Sequence, residues 1–121
     1  MVLIIDDDKS VRMLTERLIS TFGFASICAA DGEEGVATYA ANSDKIKVVV
    51  LDMTMPELNG DETFIRLRKR RSDLPIIFTS GYEKGKEVLR DSLTDFLQKP
   101  FKRDELRDKL AKFMNAAPAA A

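Results

Sequence analysis

Three carboxylates, one hydroxyl and one ammonium group stand at the ends of short apolar segments of this sequence. Two carboxylates about 4 Å apart repel each other by about 4 kcal/mol at an effective dielectric near 20. A cluster of three therefore either holds a proton or recruits a cation, and oxygen-only ligands suit Mg²⁺. One carboxylate can then act as a nucleophile toward phosphorus while the hydroxyl and ammonium groups donate to phosphoryl oxygens. The side chains are Asp6, Asp7, Asp52, Thr79 and Lys99.

Alternating strand-like and helix-like segments position these side chains. Five short apolar runs alternate with segments of helical spacing, which predicts an α/β domain with a doubly wound, five-stranded parallel sheet in the order 2-1-3-4-5 and five helices. In such a sheet ligands bind beyond the carboxyl ends of the strands, so the five side chains converge on one edge. The strands are predicted at residues 2–5, 24–29, 48–51, 76–79 and 94–98, and the last three helices at about 61–71, 83–91 and 103–115.

Local signals refine the helices. Val11, Leu14, Leu18 and Phe22 share one face of the first helix, and Gly23 is placed to end that helix. The basic run at 66–71 falls at a helix C-terminus, where the helix dipole favours cations, and is interpreted as a solvated helix end.

The composition of the 121 residues excludes several other chemistries. With no histidine, the chain cannot build a Ser-His-Asp or Cys-His nucleophile or a His-ligated zinc site. The single cysteine, Cys28, excludes an internal disulfide. A net charge of −1 argues against direct nucleic-acid binding. No apolar run approaches the ~20 residues of a membrane span, and the absence of a signal-peptide pattern favours a cytoplasmic location.

Four segments together resemble the receiver domain of two-component response regulators. They are residues 3–8, 50–60, 77–81 and 99–101, and the likeness runs from about residue 2 to residue 114. The resemblance implies a flavodoxin-like receiver fold. We expect the receiver domain to occupy residues 1–115 and residues 116–121 to form a flexible tail or the start of a linker.

The resemblance also implies roles for the clustered residues. Asp52 matches the phosphoacceptor of the family. Asp6 and Asp7 match the acidic pair that holds Mg²⁺ together with Asp52, and the backbone carbonyl of Thr54 matches a further metal ligand. Lys99 matches the lysine that forms an ion pair at the site.

A second group of matches concerns switching. Thr79 matches the hydroxyl residue that moves toward the phosphoryl group, and Phe96 matches an aromatic residue whose rotamer follows it. The Lys99-Pro100 peptide bond would be cis, as in receivers. The face formed by the fourth predicted helix, the fifth strand and the fifth predicted helix would then be the surface read by partners.

The resemblance implies a regulatory phosphoacceptor rather than an enzyme with an external substrate. A histidine kinase or histidine phosphotransfer domain would supply the phosphoryl group. Residues 79–82 and 96–101 look most like receivers at the C-terminus of hybrid histidine kinases, with a stand-alone receiver as the alternative. A phosphorylation-dependent homodimer fits the family, whereas direct contact with nucleic acid or membrane does not.

Other interpretations stay open from the residues alone. The acidic run at 6–8 could cap the first helix, since acidic side chains favour helix N-termini. A haloacid dehalogenase-type phosphohydrolase also uses an aspartate, Mg²⁺ and a lysine, and residues 6–10 match its pattern loosely. A pseudo-receiver that only binds partners is a third class. Thr54 and Gly81 stand where fast self-dephosphorylating receivers often carry amide or acidic side chains, so we expect a long-lived phosphorylated form.

Overall fold

The structure is a computed structural model that describes residues 1–53, 60–81 and 91–116. Within these ranges, five parallel strands form one sheet in the order 2-1-3-4-5, which confirms the predicted fold class. The observed strands begin or end within two residues of their predicted bounds. They are β1 (Val2–Ile5), β2 (Ser26–Ala29), β3 (Val48–Asp52), β4 (Ile76–Ser80) and β5 (Thr94–Gln98).

Four of the five predicted helices lie within the described residues. The predicted helix at 83–91 falls almost wholly on residues 82–90, which lie outside them. None of the helices in the described ranges has the length and apolar character needed to cross a lipid bilayer. The helices are α1 (Lys9–Thr21), α2 (Gly32–Ala41), α3 (Gly60–Arg70) and α4 (Arg103–Ala116).

The core consists of two apolar layers, one on each face of the sheet. Helices α2 and α3 cover the first face through Tyr39, Phe64 and Leu67. Helices α1 and α4 cover the second face, with Ile19 and Leu106 fully buried there. Strands covered on both faces must be apolar at every position, which explains why the central runs lack the alternation of a half-exposed strand.

Leu14 lies on the predicted apolar face of α1, yet its side chain is 57% exposed. Thr15 and Ile19, four residues apart, occupy the buried stripe instead. A threonine at the sheet-facing position is invisible to a pattern built on apolar residues alone. Gly23 does end the helix, with a φ of 90° and its backbone N–H bonded to Ser20.

The interpretation of the basic run as a solvated helix end is wrong at Arg68. Its side chain is only 14% exposed and binds both carboxylate oxygens of Asp91, at 3.0 and 3.1 Å. The same guanidinium donates to the backbone carbonyl of Leu74 and lies over the ring of Phe64. Arg68 therefore ties the end of α3 to the segments that lead into β4 and β5.

Candidate functional site

The carboxyl ends of β1, β3 and β4 bring the predicted side chains to one edge of the sheet. Asp52 is the last residue of β3 and pairs in register with Thr79 on β4. Asp6 follows directly after β1, which pairs with β3 on its other side. Asp52 and Thr79 are each only 2% exposed. The register of β3 and β4 therefore places the hydroxyl group of Thr79 next to the buried carboxylate of Asp52.

Three carboxylates meet at this edge, as predicted. One oxygen each of Asp6, Asp7 and Asp52 lies within 4.8 Å of the others. Asp6 is buried, and burial is the main cause that raises its pKa, with the Asp52 charge adding to the rise and the bond from Lys99 opposing it. Burial and a hydrogen bond with Asp52 likewise raise the pKa of the more exposed Asp7. A dense group of hard oxygen donors fits a divalent cation such as Mg²⁺, which also offsets the cost of the charges on Asp6 and Asp7.

Among the described residues, Lys99 is the one cationic residue that forms ion pairs with two of the three carboxylates. It follows β5 directly, and its backbone N–H donates to the carbonyl of Ser80 at 2.7 Å. Its Nζ lies 2.7 Å from Oδ2 of Asp6 and 3.5 Å from Oδ2 of Asp52. The Lys99-Pro100 peptide bond is cis, as predicted.

The third acidic residue of the loop, Asp8, has a different task. Its side chain accepts hydrogen bonds from the backbone N–H groups of Ser10 and Val11 and so caps α1. The capping interpretation is therefore confirmed for Asp8, whereas Asp6 and Asp7 face the cluster.

Two residues that sequence reasoning missed shape the site. Arg12 on α1 donates from Nη1 to the backbone carbonyl of Asp6 at 2.8 Å. Gly60, the first residue of α3, packs so closely on β3 that a Cβ atom there would lie 2.6 Å from the Cα of Met53 and 3.0 Å from the carbonyl oxygen of Asp52. Position 60 entered the sequence analysis only as the end of the segment 50–60, without a role of its own, and an arginine in a helix carries no signal of its own.

The two remaining predicted residues lie apart from the cluster. Phe96 on β5 is partly buried and packs against the apolar layer that contains Phe78, its register partner on β4. Thr54 lies outside the described residues, so its carbonyl stays a predicted ligand. The switching role of Phe96 also stays a prediction.

Comparison with known sequences gives one consistent family. Residues 2–111 match the family model of the response regulator receiver domain. Response regulator MprA of Mycolicibacterium vanbaalenii is 37% identical over 108 residues, which cover 87% of this chain and 46% of that protein. The chain spans about half, or less, of the length of the curated relatives it matches.

Comparison with solved structures agrees. A response regulator receiver domain protein from Clostridium thermocellum superposes with a TM-score of 0.89 at 21% identity, covering 99% of this chain and 98% of that one, a likeness that shows the fold alone. The receiver domain of the hybrid histidine kinase CckA superposes with a TM-score of 0.81 at 27% identity, covering 93% and 97% of the two chains.

Proposed function

The chain belongs to the response regulator receiver domain family of two-component signalling, and from that premise we propose that Asp52 accepts a phosphoryl group from a phosphohistidine on a partner protein. The observation that carries the proposal is the meeting of three carboxylates with Lys99 at one sheet edge. The family match leaves no support for the phosphohydrolase alternative. The complete set of acidic residues and lysine argues against a pseudo-receiver.

We propose that the acidic cluster holds Mg²⁺. Asp6, Asp7 and Asp52 would supply carboxylate oxygens, and the carbonyl of Thr54 a further one. When bound, the cation would neutralise the carboxylates and draw charge from phosphoryl oxygens. Mutual repulsion within the cluster supports this assignment, because binding a cation relieves a cost that the folded chain otherwise carries.

The transfer is a displacement at phosphorus. An oxygen of the Asp52 carboxylate forms a bond to phosphorus while the phosphorus–nitrogen bond of the donor breaks, and the imidazole nitrogen leaves with the electron pair. Lys99, within 3.5 Å of Asp52, faces the negative charge that the new group carries. Thr79 donates a hydrogen bond from its hydroxyl group to a phosphoryl oxygen. Positioning and charge neutralisation supply most of the catalysis in reactions of this type.

The output of the domain is a change of surface. The pull of the phosphoryl group on Thr79 and Lys99 would shift the end of β4 and the start of the segment after β5. Phe96 would follow, altering the surface shared by β5, α4 and the predicted helix at 83–91. We propose that partners, or a second copy of the chain, read this surface. The chain itself then acts as a regulated phosphoacceptor that turns over only its own phosphoryl group.

The direct test is intact mass after incubation with a small acyl-phosphate donor. We expect one added phosphoryl group in the presence of Mg²⁺ and none in EDTA or in the Asp52→Asn variant. Asp8→Asn is the matched control, since asparagine caps helices as well as aspartate does and Asp8 stands outside the cluster. An adduct that persists in Asp52→Asn would disprove the acceptor assignment.

The partner needs its own experiment. A purified phosphotransfer domain carrying labelled phosphohistidine should pass its label to the wild-type chain and not to Asp52→Asn. The likeness to both a response regulator and a hybrid-kinase receiver supports a histidine-based donor. Membership of a hybrid kinase, phosphorylation-dependent dimerisation and a cytoplasmic location stay predictions.

A further inference from the structure

Arg12 on α1 forms hydrogen bonds with the loop from Asp6 to Asp8, which follows β1. We infer that it is a positioning residue for divalent-cation binding, fixing the peptide that joins Asp6 to Asp7. The inference rests on the proposed function, because it assigns Arg12 a part in the same cation site. Arg12 lies outside the acidic cluster itself.

All four polar atoms of Asp6 form hydrogen bonds. Its backbone N–H donates to Ala29 at 3.2 Å. Its Oδ1 accepts from the N–H of Asp8 at 2.9 Å, and its Oδ2 accepts from Lys99 at 2.7 Å. Its carbonyl oxygen accepts from Arg12 at 2.8 Å. Asp6 lies just past the last residue pair of β1, so this carbonyl needs a partner from outside the sheet.

Holding this carbonyl also orients Asp7. The peptide bond is planar, so fixing the carbonyl of Asp6 fixes the plane that includes the N–H of Asp7. Arg12 also closes the first turn of α1, its own N–H donating to the carbonyl of Asp8 at 3.0 Å. The two bonds from one residue span the loop from Asp6 to Asp8. Asp7, the exposed member of the cluster, depends on that span for its direction.

The direction in which Mg²⁺ affinity changes when Arg12 is replaced distinguishes a positioning role from a purely electrostatic one. The guanidinium is always charged, and a cation near the site repels Mg²⁺. Removing the charge alone would therefore raise Mg²⁺ affinity, whereas losing the fixed peptide plane lowers it. Groups that orient metal ligands typically change metal affinity about 10–100-fold when mutated. Because the lost repulsion offsets part of the loss, we expect a fall of about tenfold.

The experiment compares Mg²⁺ titrations by calorimetry for the wild-type chain and three variants. Arg12→Met keeps the length of the stem without a donor and should bind Mg²⁺ about tenfold more weakly. Arg12→Lys restores a donor and should recover part of that loss. Arg17→Met removes an exposed cation from the same helix and should leave the affinity unchanged. Thermal unfolding in EDTA monitors folding of each variant.

The outcomes distinguish the two claims. No saturable Mg²⁺ binding by the wild-type chain overturns the proposed cation site, and this inference with it. Wild-type binding with unchanged or tighter binding by a folded Arg12→Met overturns the inference alone. A lower melting temperature without a change in Mg²⁺ affinity assigns Arg12 a purely structural role and overturns it too.

Discussion

Lys99 makes its shorter ion pair with Asp6, at 2.7 Å, although the two residues are 93 positions apart in the chain. The carboxylate of Asp6 is almost fully buried, and the ammonium group is 19% exposed. A pair of this kind is costly to break from one side, because the remaining charge stays buried without compensation. Lys99 thus stabilises the cluster of Asp6, Asp7 and Asp52 in the absence of a bound cation or phosphoryl group.

Replacing Lys99 with methionine should therefore destabilise the chain. Removing one partner of a buried pair typically costs about 3–5 kcal/mol, and partial exposure favours the lower end, about 3 kcal/mol. Urea denaturation in EDTA measures the loss. Lys102→Met, at an exposed position after the cis peptide bond, is the control and should change stability little. Equal losses in the two variants would rule out a special role for the buried pair.

Asp7→Asn should act in the opposite direction. Partial desolvation of its carboxyl group and the bond to Asp52 raise the pKa of Asp7, although the residue as a whole is exposed, so its ionised form costs the folded state free energy. Because Asp7 is exposed, we use the Coulomb energy in water and expect a gain of about 1 kcal/mol in EDTA. Excess Mg²⁺ should reverse the order, since the variant loses a cation ligand. The measurement is the denaturant midpoint of each chain with and without Mg²⁺. Asp8→Asn is the control and should respond to Mg²⁺ as wild type does. A midpoint of Asp7→Asn below that of wild type in EDTA would contradict the prediction.

A separate ion cluster that joins β5 to α4 predicts a pH dependence. Burial alone would raise the pKa of Asp95, but hydrogen bonds from Lys109, the Phe96 N–H and Lys112 outweigh it and hold the pKa below its ordinary 3.8. A carboxyl with a lowered folded pKa stabilises the protein above its unfolded pKa. That contribution is lost as pH falls through the folded pKa.

The matching variant is Asp95→Asn. It should lower the free energy of unfolding by about 1 kcal/mol at neutral pH, the upper range for partly exposed ion pairs. The difference from wild type should persist down to about pH 4 and vanish at lower pH. Asp108→Asn, exposed on α4, is the control. A difference that grows on acidification would contradict the direction of the pKa shift.

The sheet and the cluster were predictable from the sequence because both depend on local signals. Continuous apolar runs at 2–5 and 48–51 mark strands buried on both faces, and the topology of a parallel sheet then carries Asp6 and Asp52 to the same edge. The family resemblance added the roles of these residues and the cis bond at Lys99-Pro100, which spacing alone does not indicate.

What escaped prediction depends on how helices rotate and how closely they approach the sheet. The exposed Leu14 and the buried Thr15 reflect the rotation of α1, which apolar spacing determines only to within one side-chain position. Arg12 and Arg68 reach carbonyls six residues away, contacts that no periodicity encodes. The need for glycine at position 60 arises from the distance between α3 and β3, a tertiary quantity.

The close approach at Gly60 predicts a contrast between two identical substitutions. In Gly60→Ala the new Cβ meets the backbone of Met53 at 2.6 Å, so α3 must move. In Gly35→Ala the three nearest atoms all belong to the Ile5 side chain, with Cδ1 at 2.5 Å, and none is a backbone atom. We expect Gly60→Ala to cost about 1–3 kcal/mol and Gly35→Ala distinctly less. Urea denaturation measures both, and equal costs would show that the approach of α3 to β3 is not limiting.

The phosphorylated chain should have a long lifetime. Thr54 and Gly81 offer no amide or carboxylate to orient an attacking water, so the aspartyl phosphate should outlast the scale of seconds. Gly81 has no positive φ, and a Cβ there would meet no atom of residues 1–53, 60–81 or 91–116 within 4 Å. The backbone conformation at Gly81 therefore suits a residue with a side chain.

This open position allows the lifetime to be shortened by design. Gly81→Asn would place an amide where fast members of the family carry one, and we expect hydrolysis about tenfold faster, equivalent to a barrier lowered by about 1.4 kcal/mol. Gly81→Ala is the control for the loss of glycine and should decay like wild type. The measurement is intact mass against time after removal of the acyl-phosphate donor, with Mg²⁺ present. Decay of the wild-type adduct within seconds, with no phosphatase present, would refute the predicted long lifetime.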